Sequence, residues 1–213
     1  MISPLIGIEV TGPLPDLSAA RGLIFTSANG VRAYLALGGR LDLPVYAVGG
    51  ATALVAREAG MSCESTNGNA QGLISWLIEK RPTSPLCHMR GTHARGNVSE
   101  RLSAAELPTS EAIIYDQPAL ALSEAAKTAL AGKAPVVVPL YSPRSAALLS
   151  EKLRIRPPQA PLLVAALSEA VANAATSPHI MVMKTAPSPC SAHMLPMIAQ
   201  LLEQAGQEGS NRA

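Results

Sequence analysis

Residues 22 to 35 read GLIFTSANGVRAYL, and residues 136 to 149 read VVVPLYSPRSAALL. Each is a short apolar run, a sharp turn carrying bare hydroxyls, and then a run with helical period. An apolar run of this length bounded by turn residues is a strand buried on both faces. A helix directly behind it makes the next strand of the sheet parallel. The pattern continues with LPVYAVGG then ATALVAREAG, the helix NAQGLISWLIEK and the strand SPLCHMRG. A weak helix at about 97–106 leads to a strand in EAIIYDQPAL. The second half alternates likewise through SEAAKTALAG, APVVVPLYS, PRSAALLSEKL, PLLVAALS, EAVANAAT, HIMVMKTA and SAHMLPMIAQLLEQAG. Gly60 ends one helix, Pro196 is expected to kink the last, and the tail QEGSNRA is expected to be disordered.

Strand–helix alternation with short connections predicts parallel sheets with helices on both faces. Ser27 falls in its unit where Ser142 falls in the other, and Gly49 where Ser168 does. Two similar α/β lobes follow, although reuse of one turn and cap chemistry would also make two unrelated units look alike.

Aromatics are scarce, with one Trp, one Phe and four Tyr, so Ala, Leu and Val must fill the core. The same scarcity removes the platforms on which nucleic-acid bases stack. The net charge is +2 and the basic residues are scattered, which gives no patch for nucleic acid or a membrane surface. Three Cys without C-x-x-C spacing read as free thiols in a reducing cytosol. No apolar run has membrane length and no basic-then-apolar leader opens the chain, so a soluble cytoplasmic protein is expected; separately, a monomer is expected. The four His are not at metal-ligand spacing, and no metal site is expected.

In an open parallel sheet, ligands sit beyond the carboxyl ends of the strands. Helix first turns there offer unpaired N–H groups and a positive dipole end, which suit carboxylates or phosphates. The candidate contacts are Thr26, Ser27, Asn29, Gly49, Thr52, Arg90, Gly91, Ser142 and Ser168. Ser, Thr and Asn are also favoured N-caps, so each of these turns has a plain structural reading. Gly49-Gly50 permits close backbone approach, which capping alone does not need. The patterns G-x-G-x-x-G, G-x-x-x-x-G-K-[ST] and G-x-S-x-G are absent. His88 lies on a strand, where packing is its expected role, and His93 shares a loop with Arg90 and Arg95 that could help hold an anion. Cys63 and Cys190 read as ordinary loop residues, and Lys184 ends a strand where it reaches an anion or snorkels. Tyr115 ends a strand just before DQPAL, where one lobe should give way to the other. Its phenol either donates into a cleft or packs at the hinge.

Taken in order, LIFTSANGVRAY, LPVYAVGGATALVAREAG, QGLISWL, LCHMRG, AIIYDQPAL, LYSPRSAALL, LSEAVANA and HIMVMKTAPSPCSAHML resemble the uroporphyrinogen-III synthase family. The resemblance covers about residues 4 to 203. It implies two flavodoxin-like parallel-sheet lobes joined by a two-stranded linker, with a lobe of about residues 9–115 inserted into one built from 1–8 and 119–213. It implies cyclisation of hydroxymethylbilane to uroporphyrinogen III with inversion of ring D and loss of water, without cofactor. Tyr115 would assist departure of the hydroxyl, and the turn residues would hold the substrate's carboxylates. The alternative is a non-catalytic two-lobe protein that binds a tetrapyrrole or another anion. Family members begin with a further strand and helix, usually with a T-R-P motif, whereas MISPLIGIEV starts near the family's second strand. Loss of that first strand would expose apolar surface.

Overall fold

The structure is a computed structural model that describes residues 1–66, 68–94, 96–188 and 191–210. The chain divides into two compact units, Gly7–Pro118 and Met1–Ile6 together with the chain from Ala119 onward. The inserted unit contains β1 (Glu9–Val10), β2 (Gly22–Phe25), α1 (Ala28–Ala36), β3 (Val45–Val48), α2 (Gly50–Glu58), β4 (Cys63–Thr66), α3 (Ala70–Lys80), β5 (Leu86–Gly91), α4 (Val98–Ala104) and β6 (Thr109–Asp116). Its sheet has the order β1-β6-β5-β2-β3-β4. All neighbours are parallel except the pair β1 and β6.

Counted along the chain, the five parallel strands lie 3-2-1-4-5, rather than in the 2-1-3-4-5 order of flavodoxin itself. Winding therefore reverses between β2 and β5, and the crevice that such a reversal leaves is at their carboxyl ends. β2 is central and fully buried. Leu23 and Phe25 pack on one face with Val31 and Tyr34 of α1 and Ala53 and Ala56 of α2. Ile24 packs on the other with Leu73 and Leu77 of α3 and Leu102 of α4. Burying each Leu or Ile side chain contributes about 1.5–3 kcal/mol, and the small Ala residues let helices approach the sheet closely.

Strand β4 has no counterpart among the expected elements. Cys63, expected in a loop, pairs with Val45 of β3 and is only 9% exposed. A four-residue edge strand with one apolar residue shows no apolar run, so its signature is missing from the sequence. Cys190, like Arg95, lies outside the described residues.

The second unit contains α5 (Glu124–Ala131), β7 (Val136–Leu140), α6 (Pro143–Ile155), β8 (Leu162–Ala166), α7 (Glu169–Ala174), β9 (Ile180–Thr185) and α8 (Ser191–Ser210). Its parallel sheet has the order β7-β8-β9, with β8 central and wholly buried. The β7 edge borders an apolar groove of about 210 Å³ that includes Leu5, Leu122, Leu130 and Val137. Val136 N–H donates to Pro161 O, so Val137 and Pro139 turn their backbones away from β8. Pro139 has no N–H to offer there, which blunts the edge. The tail expected to be irregular from Gln207 instead continues α8 to Ser210, with Pro196 inside the helix.

Two antiparallel chain passes connect the units. Leu120 N–H donates to Leu5 O at 2.9 Å within one unit. Gly7 N–H donates to Pro118 O and Thr11 N–H to Ile114 O, both at 2.9 Å, within the other. Among the described residues no helix is long and apolar enough to cross a membrane.

Candidate functional site

The candidate residues of the inserted unit gather at strand carboxyl ends, several at the reversal between β2 and β5. Ser27 follows β2 and caps α1. Its backbone is extended, with φ −155° and ψ 143°, and its Oγ accepts from Asn29 N–H at 3.2 Å. Asn29 Oδ1 accepts from Arg32 Nη1 at 3.3 Å. Both polar side chains are thus engaged locally, and of the backbone donors Asn29 N–H is taken by Ser27 Oγ and Gly30 N–H by Ser27 O at 3.0 Å. Gly49 caps α2 at φ 77°, a conformation that disfavours any side chain, and an added Cβ would meet nothing within 4 Å. Glycine is needed there for its backbone angle and leaves an open approach. Thr52 is only 5% exposed and is buried beside Ala53 in α2, rather than open on the turn.

Strand alternation puts Leu86, His88 and Arg90 of β5 on the α3–α4 side, and Cys87 and Met89 on the other. Arg90 Nη2 donates to Glu111 Oε1 on β6 at 2.6 Å, and Ser99 Oγ of α4 donates to Glu111 Oε2 at 2.6 Å. These contacts hold the Glu111 carboxyl below the usual carboxylate range, Arg90 contributing most. Arg90 Nη1 donates to Gly91 O at 3.0 Å, so the same guanidinium shapes the end of β5. Thr26 Oγ1 lies 3.3 Å from His88 Nε2. His88 is 1% exposed, and burial lowers its pKa to about 4, leaving the ring neutral at physiological pH.

Gly91 and Tyr115 are opposite each other across β5 and β6. A Cβ on Gly91 would come within 2.5 Å of the Tyr115 ring. The ring is 5% exposed and packs in the core with Phe25 and Met89. Its hydroxyl takes no hydrogen-bond partner among the described residues. Packing of the body and a free polar tip are thus both present in this one side chain.

In the second unit, Ser142 caps α6 with φ −147° and ψ 148°, close to the angles of Ser27. Its hydroxyl accepts from Ser145 N–H at 3.1 Å, and Ser145 Oγ accepts from Ser142 N–H at 3.3 Å. Ser168 caps α7 without any side-chain cap bond. Lys184 Nζ donates to Gln200 Oε1 at 3.3 Å. Among the described residues no group of three or more His, Cys, Asp or Glu could hold a metal ion.

The family model of uroporphyrinogen-III synthase HemD matches residues 1–195, which spans both units and every candidate above. The chain belongs to the uroporphyrinogen-III synthase family. It is similar in structure to uroporphyrinogen-III synthetase from Helicobacter pylori 26695, with TM-score 0.73 and 16% identity, covering 92% of this chain and 91% of that one. A mutant uroporphyrinogen III synthase from the extremely thermophilic bacterium Thermus thermophilus gives TM-score 0.56 and 14% identity, over 96% of this chain and 88% of that one. At such identities the likeness speaks for the two-lobe α/β fold. No curated protein sequence matches the chain.

On this synthase-family fold, sequence reasoning missed one feature. His88, Arg90, Asn97, Ser99, Glu100 and Glu111 are among the residues that line a cavity of about 340 Å³ within the inserted unit. The available signal was the alternation in LCHMRG, which puts His88 and Arg90 on the same face of one strand. Ser99 and Glu111 carried no local signal, because they reach the cavity from a helix and a neighbouring strand.

Proposed function

We propose that the protein cyclises hydroxymethylbilane to uroporphyrinogen III, inverting the last pyrrole ring and releasing water as a lyase of the tetrapyrrole pathway. The family match over residues 1–195 carries this reading, because it includes the strand-end turns as well as the framework. The substrate bears eight carboxylates and loses its terminal hydroxyl readily to give an azafulvene. The protein's task is then to fold the chain so that the substituted carbon of ring D is attacked, through a spiro intermediate.

Neutral donors suit that task, since they hold a polyacid without trapping the product. Backbone N–H groups behind Ser27, Gly49 and Ser168 supply them, with the Thr26 hydroxyl and the Arg90–Gly91 end of β5 beside them, while the Ser142 turn, with Pro143 behind it and Ser145 N–H bonded to Ser142 Oγ, serves to begin α6. Asn29 and Thr52 are placed here to shape the turns. The Tyr115 hydroxyl, free of protein partners among the described residues, assists departure of the hydroxyl. The reading requires no cofactor, and the protein works as a cytoplasmic monomer on a small-molecule substrate, with no nucleic acid or membrane partner.

Incubation with freshly made hydroxymethylbilane, followed by oxidation and separation of the uroporphyrin isomers, tests the proposal. Isomer III is expected in excess of isomer I. Isomer I alone, formed at the spontaneous rate, overturns it. Calorimetric binding of uroporphyrin in that event would make the chain a non-catalytic tetrapyrrole-binding protein.

A further inference from the structure

A further cavity, of about 370 Å³, lies within the second unit where β9 ends and α8 begins. Its wall includes Lys184, Thr185, His193 and Gln200, with Pro187 and Met197 among its apolar residues. No acidic side chain lines it among the described residues. Lys184 falls between Val182 and Ala186 on the face of β9 that packs with Met194, Met197 and Leu201 of α8. Packing alone would be served there by another aliphatic residue, and a snorkelling lysine would carry its ammonium out to solvent. Lys184 instead turns Nζ to Gln200 Oε1 of α8 at 3.3 Å, in an exposed contact that a ligand can reach. The bond commits the amide oxygen and leaves Gln200 Nε2 with two donors that have no partner among the described residues. Nζ keeps two further donors, and Lys184 takes part in none of the ion pairs among the described residues.

We propose that this cavity is a subsite for one carboxylate on an aliphatic arm, with Lys184 as its anchor. One ammonium matches one carboxylate in charge, and Gln200 Nε2 donates to the second oxygen. Pro187 and Met197 offer apolar surface to the arm. The start of α8 adds the positive end of its dipole. Ser188 Oγ lies 2.9 Å from His193 Nδ1, so the imidazole is held at this cavity and reports on its filling. Taking the arm to be an acid side chain of hydroxymethylbilane rests on the function proposed above. The charge and the donor arrangement do not.

The test follows the His193 ring of the intact protein by NMR, at constant pH and ionic strength, during titration with propionate and separately with inorganic phosphate. Propionate should shift the ring saturably, and phosphate should bind more weakly. Lys184→Met keeps the aliphatic stem, removes the ammonium and should weaken propionate binding about tenfold or more. Lys184→Arg, which restores the charge, should recover most of that binding. With hydroxymethylbilane, Lys184→Met should raise KM about tenfold and leave kcat little changed, as loss of uniform binding does. Propionate binding through Lys184 in a protein that makes no isomer III upholds the subsite while overturning the cyclase. Isomer III made with an unchanged KM in Lys184→Met overturns the assignment to a bilane arm. A His193 ring unmoved by propionate, tighter binding of phosphate, or an affinity unchanged in Lys184→Met overturns the subsite.

Discussion

Gly91 and Tyr115 form a matched pair. The ring occupies the space that a Cβ at residue 91 would claim, so the identity of one residue depends on the position of the other. The Arg90 guanidinium holds the carbonyl of Gly91, and Thr92 N–H donates to the Tyr115 carbonyl at 3.1 Å, so the phenol sits on a braced backbone. Such bracing fixes a hydroxyl without bonding it. Tyr115→Phe keeps the packed ring and removes only the polar tip. It is expected to lower turnover by about a hundredfold at most, the low end for loss of an acid–base group, with the thermal midpoint unchanged. A parallel fall in midpoint and turnover would assign the residue to packing alone.

At the level of elements, the two serines that begin α6 and α7 serve differently. Ser142 is locked in a reciprocal capping box with Ser145 beneath Pro143, whereas the Ser168 side chain makes no cap bond. The first hydroxyl is therefore structural and the second is available to a ligand. Ser142→Ala should cost about 1 kcal/mol in chemical denaturation, as loss of an N-cap does. Ser168→Ala should leave stability within about 0.5 kcal/mol and raise KM for hydroxymethylbilane. The reverse pattern would exchange their roles. The α1 cap belongs with α6, since Ser27 and Ser142 share both angles and hydrogen bonding to the helix.

For the whole molecule, buried ionisable groups link folding to acidity. His88 is neutral in the folded chain, with its pKa lowered from 6.5 to about 4, chiefly by burial. The unfolded chain takes up a proton at this ring first, so the stabilisation is complete above about pH 6.5 and is lost progressively as pH falls toward 4. The full loss is on the order of 3 kcal/mol. Glu111 acts in the same direction at lower pH: its folded carboxyl is depressed, so its contribution disappears as pH falls through that lowered value. Trp76, the sole Trp, packs against Tyr46 on the α3 side of the same unit and reports its unfolding. Urea midpoints read from Trp76 fluorescence should fall between pH 6.5 and 4, and His88→Gln should flatten that slope. An unchanged slope in the variant would mean that other groups govern acid unfolding.

Local chemistry was enough to locate the central strands and most caps. GLIF, LLVAA and the Ser27 and Ser142 turns declare themselves through apolar runs and hydroxyls, because strand burial and N-capping act between residues close in sequence. The order of strands was a different matter. Nothing in the neighbourhood of β2 says that β5 lies beside it, or that β4 closes the far edge with a single apolar residue. Those placements follow from the packing of whole layers. The cavity around His88 shows the same division: LCHMRG announces two polar residues on one face of a strand. Only the folding of β6 and α4 against β5 brings Glu111 and Ser99 to Arg90, engaging part of its guanidinium and leaving Arg90 Nε and His88 Nδ1 without partners among the described residues. Hydrogen bonds between side chains depend on positions in space, and the pairing of distant segments sets those positions.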